Sequence, residues 1–533
     1  MTYLFTNNQE IKNDIGNPIP VSKNTTANSI DNPVYVASSA AGASGISAFG
    51  EPLAVPVTPI VQLDAIYGLD PDKFQTYTAF GGGVDVDGPL MECSTGASQY
   101  GYGVIRSKRA VRYRPGQGAV ARFTAAFTTT SAGTSTGIGY AGYTQRAGFF
   151  TQENAIQIGF DGTQFGVMRQ DGGKATIYGL KIDAAASGNV TVSLTLNGTL
   201  YTVPITAGTV AHNAQEIAGY NYGGGWLVDA VEDEVKFLST TVGVMGGAFT
   251  VTDNAASFSS TLTLLQQGVA HTEYWTYQND FNIDKLDGTG PSGVTLDKSK
   301  LNVYQINFRW LGAGEIRFAV EDSNNGEMIF FHHIHYSNRH TVPHIANPSL
   351  KIGYVAASLS GTGTNIVVKG ASIMGAIEGV LTPTTFPDSV AASRSSLNSG
   401  GTYYHLLSVE NRLVLNNKIN TKELVLKSIS AGANSAASTP VKFIIYRNLA
   451  AVSAFQWSYV NKTWSASAYA QDAITVNPAV KPIFQTLVSP GAAQVINLDD
   501  FRIVISPGDS ISVVVVGSGV ISQADAVLNW VED

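Results

Sequence analysis

The sequence predicts an all-β chain built from β-sandwiches. Three observations carry that reading: apolar residues alternate with period two in short runs, turn residues separate the runs, and helical periodicity is almost absent. Alternation follows from strand geometry, because successive side chains point to opposite faces and only one face meets a core. At 533 residues the chain has room for about three domains, each large enough to bury its own core. Cys93 is the single cysteine, which excludes an intrachain disulfide and fits folding in a reducing cytoplasm.

Residues 1–50 are rich in Asn, Ser, Ala and Pro without sustained periodicity, and are expected to form an extended N-terminal attachment arm. Two pieces of it, Asn17 to Val21 and Asn32 to Val36, carry prolines at positions that suit edge strands pairing with a neighbouring subunit. A sandwich domain is expected over 51–383. Its clearest strands are Ala119 to Phe127 and Val303 to Trp310, the latter placing Tyr304, Ile306, Phe308 and Trp310 on one face and Gln305, Asn307 and Arg309 on the other. A glycine-containing loop, Leu311 to Gly314, then leads into a run with Ile316, Phe318 and Val320 inward, as a hairpin requires.

A small α+β module is expected within that domain at about 185–255. Asn197-Gly198 is the turn of a hairpin between Asn189 to Leu196 and Tyr201 to Thr206, and Thr209 can cap a short helix over Val210 to Ala218. The Thr/Pro-rich stretch Leu381 to Asp388 has the composition of a boundary, after which 384–533 again read as strands. There Ser506-Pro507-Gly508-Asp509 forms a turn before the buried run Ser510 to Val516.

Some of these residues carry a resemblance. The segment Asn189 to Thr252, with its hairpin, short helix and Val235 to Val251 run, resembles a small module recurring in tail proteins of contractile-tailed phages. A longer span, from Arg112-Tyr-Arg-Pro-Gly-Gln-Gly through Ile158-Gly-Phe-Asp-Gly-Thr to Trp310-Leu-Gly-Ala-Gly-Glu, looks like virion proteins of large tailed phages. Phe501 to Val513 resembles the Pro-Gly-Asp turn of jelly-roll modules in viral and trimeric extracellular proteins. The resemblance implies a lectin-like β-sandwich with an inserted α+β module and a C-terminal jelly-roll-like sandwich, in a non-enzymatic structural protein of the virion made in the host cytoplasm. It implies other virion proteins as partners and a homo-oligomer with a trimer favoured; contact with host-surface polysaccharide is an expectation from the architecture, through exposed aromatic and polar loops of a distal domain. Tail or baseplate appendage is the first placement; a capsid decoration protein and a glycan-depolymerising tailspike are the alternatives.

Charge narrows the partners. Charged residues make up 14% of the chain, against about 25% in typical domains, and the formal net charge is −8. A nucleic-acid groove would need a basic stripe to release counterions, so nucleic acid is not an expected partner. No apolar run approaches the roughly 18 residues that span a bilayer, and Met1 to Asn17 lacks a basic region followed by an apolar one, so neither membrane insertion nor a secretion signal is expected.

Five of the eight histidines lie in His332, His333, His335, His340 and His344. His333 and His335 share a strand face, and such a pair gathered around a trimer axis would hold a transition metal at a subunit interface; the competing reading is a solvated or interfacial strand with no cofactor at all. No carboxylate partner is evident from spacing, since Glu327 stands at a distance that defines no known ligand set. Asp85 and Asp87 before Gly88, and Asp70 and Asp72 around Pro71, read as turns rather than calcium loops.

Arg106, Lys108, Arg109, Arg112 and Arg114 place five cations within nine residues, a candidate contact surface for an acidic subunit or an anionic glycan, or else a solvated face. A glycan hydrolase would need two carboxylates about 5 to 9.5 Å apart in a cleft. Asp161, Glu315 and Glu321 are available, but nothing in their pattern singles them out, and no nucleophile elbow, phosphate loop or zinc-spaced Cys/His set is present.

Overall fold

The computed structural model describes residues 56–131, 133–380, 386–397, 400–435, 440–449, 455–517 and 521–533. The arm at 1–50 and most of the Leu381 to Asp388 boundary lie outside them. The described chain is almost entirely antiparallel sheet, with one α-helix, Val210–Ala218, among the described residues. None of its helices is long and apolar enough to cross a membrane.

Two sheets face each other in the first sandwich. One is nine-stranded and is centred on Gly118–Phe127, which is flanked by Asn302–Arg309 and Val367–Gly370 and is also paired with Ser372–Glu378. The other is seven-stranded and runs from Thr272–Tyr277 through Gln164–Asp171, Ala155–Asp161, Tyr143–Phe150, Lys351–Ser358 and Tyr102–Ser107 to Phe74–Ala79. Strands before residue 172 thus interleave with strands after residue 271. The inward faces of both sheets make one core that includes Phe123, Phe149, Ile158, Tyr304, Ile306, Phe318 and Tyr354.

The hairpin expected around Gly312 is present. Tyr304 pairs with Val320, Ile306 with Phe318 and Phe308 with Ile316, and all six side chains are at most 1% exposed. Register is fixed here because a slip of one residue would turn every one of these groups outward.

The inserted module is bounded by the pairing of Gln164–Asp171 with Thr272–Tyr277, so the chain leaves the sandwich and re-enters it on adjacent strands. Its own sheets extend to Ala175 and Gln266, beyond the 185–255 read from composition, because Ala175–Ala184 and Ser259–Gln266 alternate like any other strand and mark no compositional break. The Asn197-Gly198 turn joins Val190–Leu196 to Thr199–Ile205 with both residues at positive φ, 49° and 82°. Thr209 caps the helix by accepting from the His212 amide at 3.1 Å. Ala214 and Ile217 face the module's core, as does Asn213, whose amide donates to the Thr206 carbonyl and accepts from the Ala186 N–H.

The described residues between 387 and 533 form a second sandwich. A five-stranded sheet includes Pro387–Leu397, Ile521–Glu532 and Leu424–Ser435; a seven-stranded sheet includes Tyr403–Asn411, Ser510–Val516 and Val441–Arg447. Both contribute to one core around Trp530, Leu426, Phe443 and Val513. Pro507 and Gly508 occupy the centre of the expected turn, closed by the Asp509 N–H donating to the Ser506 carbonyl at 2.9 Å with Gly508 at φ 86°.

Candidate functional site

The cationic run begins at the end of strand Tyr102–Ser107 and continues into the loop that follows. Arg106 lies over the rings of Tyr77 and Phe150, at 5.1 and 5.8 Å, and its Nε donates to Gln75 Oε1 at 2.9 Å. The next cations meet carboxylates of the second sandwich. Lys108 Nζ is 3.0 Å from Asp509 Oδ1, Arg109 is 3.2 Å from Glu423 Oε2, and Arg114 pairs with Asp533. Glu423 also accepts from the Ala110 N–H at 3.2 Å. Burial lowers the pKa of the Arg112 guanidinium, and the charges of Asp533 and Glu423 oppose that shift. The acidic face opposite Lys108, Arg109 and Arg114 is therefore supplied within the chain, whereas the sequence suggests an acidic subunit, an anionic glycan or a solvated face.

Lys351 sits in the same seam and has no sequence signature. Its ammonium donates to Gln75 Oε1 at 3.0 Å, and burial, reinforced by the charge of Arg106, pushes its pKa down to about 7.

The histidines divide by face. In strand Met328–Ile334, His332 points inward among Phe281 and Phe318 and is 5% exposed, with its pKa pushed down to about 4 by burial and then by the charges of His333 and His335. His333 and His335 share the outer face and meet Glu315, the carboxylate partner that spacing alone did not reveal. Glu315 Oε1 is 3.1 Å from His333 Nδ1 and 3.2 Å from His335 Nδ1. Register explains the meeting: Ile316 pairs with Ile334 and Arg317 with His333, so the next step of the ladder sets Glu315 opposite His335 and diagonal to His333. Burial opposes ionisation of Glu315, but the hydrogen bond and charge of Arg317 and the charges of both histidines outweigh it and hold the carboxyl below its ordinary value. His340 stacks on Tyr336 with centroids 4.0 Å apart, and His344 is fully buried beside Tyr336 and Phe308.

The other candidates stay apart. Asp85 and Asp87 are exposed on one face of Gly83–Asp87, just before a tight turn that pairs Asp87 with Leu90. Asp70 accepts from the Asp72 N–H at 2.9 Å in a local turn. Asp161 closes a hairpin and accepts from Tyr277 Oη at 3.0 Å, while Glu321 ends the strand Ile316–Glu321 that Glu315 immediately precedes.

Two features escaped the sequence reading. A cleft of about 330 Å³ between the inserted module and the second sandwich is lined by Gln215, Asp229, Glu410, Leu413, Phe455 and Trp457. There burial, with the neighbouring Asp229 charge, raises the Glu410 pKa well above 4.5. At the edge of the first sandwich, Phe80 and Tyr100 stand side by side, 67% and 55% exposed with centroids 6.5 Å apart. Both are held at positive φ, 50° and 63°, a conformation bulky side chains rarely adopt. Gly82 and Gly101 pack the loops beneath them so closely that a Cβ would stand 2.3 Å from the Tyr102 carbonyl oxygen and 2.0 Å from that of Thr95.

No protein-family model and no curated protein matches the chain. Among solved structures it is similar to a lectin from Bauhinia forficata in complex with GalNAc, at 10% identity over 60% of this chain and 98% of that one with a TM-score of 0.22. It is likewise similar to a seed lectin isoform of Lotus tetragonolobus, at 8% identity over 60% of this chain and 100% of that one with a TM-score of 0.22. Similarity at this level carries neither lectin's ligand over to this chain.

Proposed function

We propose that this all-β chain is a non-catalytic structural component of a virus particle, placed in a tail or baseplate appendage and touching host-surface polysaccharide. The observation that carries the structural reading is where the charge goes. In a chain with 14% charged residues, the densest cations bind carboxylates of the chain's own second sandwich and tie the two sandwiches together. The sequence resemblance to phage virion proteins supports the placement.

Particles released from cells that make the chain, separated into heads and tails and analysed by mass spectrometry, test the placement. The chain is expected in the tail fraction. Recovery with heads alone would move it to the capsid, and absence from both would end the reading.

For polysaccharide contact, the exposed Phe80 and Tyr100 pair offers an apolar platform of the kind sugar faces stack on. The double substitution Phe80→Ala, Tyr100→Ala is expected to weaken adsorption of the purified chain to host cells by about thirtyfold, which is what two lost contacts of about 1 kcal/mol each give. Melting should not fall, because both side chains are solvent-exposed and both positions are strained. Undiminished adsorption would remove this platform from the proposal.

A further inference from the structure

Glu315, His333 and His335 present three ligand atoms that all lie within 4.8 Å of one another. Their spacing suits a small cation. Metal bonds of about 2.0 to 2.2 Å to imidazole nitrogen and carboxylate oxygen place neighbouring ligand atoms about 3.4 Å apart in a tetrahedron and about 3.0 Å apart at a right angle. The observed separations from Glu315 Oε1, 3.1 and 3.2 Å, fall between those values.

The surroundings divide the carboxylate in the same sense. Its other oxygen, Oε2, is taken by Arg317 Nε and lies 3.4 Å from the Arg309 guanidinium, which orients the group and leaves Oε1 to the histidines. Glu315 and His333 side chains are 16% and 18% exposed, whereas His335 is 51% exposed, so the site is walled on one side and open to water on the other. Among the described residues the buried Nε2 of His333 has no hydrogen-bond partner, and Nδ1 meets Glu315.

We propose that these three residues bind one divalent transition-metal ion of the zinc class within a single chain, with the outward coordination position left to water. Two histidines and one carboxylate are a ligand set such ions accept, and calcium or magnesium, which favour oxygen donors, are not expected to compete. The nearby arginines repel a cation, so the affinity is expected to be on the order of micromolar rather than that of a closed structural site. The site needs no trimer axis, because one chain supplies all three ligands.

Cobalt(II) titrated into the tag-free full-length chain, followed by visible absorption and by calorimetry with zinc, tests this. Saturation at one equivalent is expected. His335→Ala and Glu315→Gln should each weaken binding by more than about tenfold, first-sphere changes costing at least what outer-sphere ones do. His212→Ala, which alters a separate histidine lying 3.4 Å from Glu216, should leave binding unchanged. Because His335 is half-exposed, its variant keeps the fold testable, and thermal melting in metal-free buffer confirms it. Absence of saturable binding overturns the site, as does binding that survives the His335→Ala, Glu315→Gln double substitution or is lost in His212→Ala. Chelator should leave the mass in solution unchanged; dissociation of an oligomer would show an ion bridging chains and overturn the single-chain site.

Discussion

Glu423→Ala is expected to lower the stability of the chain by about 3 kcal/mol, read as a shift of the urea unfolding midpoint. The Glu423 side chain is 4% exposed and receives both the Arg109 guanidinium and the Ala110 N–H. Removing it leaves those donors without their carboxylate and takes away one of the charges that favour the buried Arg112 guanidinium, Asp533 being another. Breaking one side of a buried pair costs about 3–5 kcal/mol, and the lower end applies because Arg109 remains 33% exposed. Lys73→Ala provides the contrast. Its ion pair with Asp70 spans 4.0 Å with side chains 59% and 47% exposed, and its loss should change stability by less than about 0.5 kcal/mol. Equal effects from the two substitutions would mean that the seam contributes nothing beyond surface electrostatics.

Acidification should destabilise the chain through its buried histidines. His344 and His405 are both 0% exposed, and burial pushes each imidazole from 6.5 down to about 4. For His405 the Asp472 carbonyl opposes the shift and Arg394 adds to it. Between pH 6.5 and about 4 the unfolded chain holds the extra protons. The contribution of neutral burial is therefore complete above pH 6.5, falls as pH drops through that window, and levels off below about 4. At 1.36 kcal/mol per pKa unit each histidine accounts for on the order of 3 kcal/mol. His405 is held by the Asp472 carbonyl at 2.9 Å and Ser408 Oγ at 2.8 Å, so His405→Gln lowers stability at neutral pH but removes that residue's share of the pH dependence. Urea unfolding at pH 7 and pH 4.5 separates the two effects. Identical pH dependence in the variant and the parent would exclude His405 as a contributor.

What could be read in the sequence was local. Tyr304, Ile306 and Phe308 announce a strand because alternate side chains face one core, Asn197-Gly198 announces a turn because both residues accept positive φ, and Thr209 announces a helix start because its hydroxyl can accept a backbone N–H. The seam was not legible. Arg109 and Glu423 are 314 residues apart, and no local pattern records which cation will face which carboxylate. Glu315 is an intermediate case. The hairpin follows from alternation, but Glu315 comes opposite His335 only through the register of the following strand, which spacing along the chain, with Glu327 as the nearest preceding carboxylate, does not show. Phe80 and Tyr100 were hidden for another reason, since neither residue type favours the positive φ it adopts.

The inserted module touches the second sandwich as well as the first. Asp229 accepts from the Leu413 N–H at 3.0 Å, the Glu232 N–H donates to the Trp457 carbonyl at 2.8 Å, and Glu234 binds Tyr459 and Lys462 at 2.8 and 2.9 Å. It is also anchored to the first sandwich through Gln152, which donates to the Ser239 carbonyl at 3.2 Å, and through its paired entry and exit strands. Each of the three bodies is therefore bonded to both of the others, which is the arrangement of a braced truss. A hinge at any one joint would have to break a second joint at the same time, so a pull or twist at one end passes through the whole framework instead of bending it at a linker.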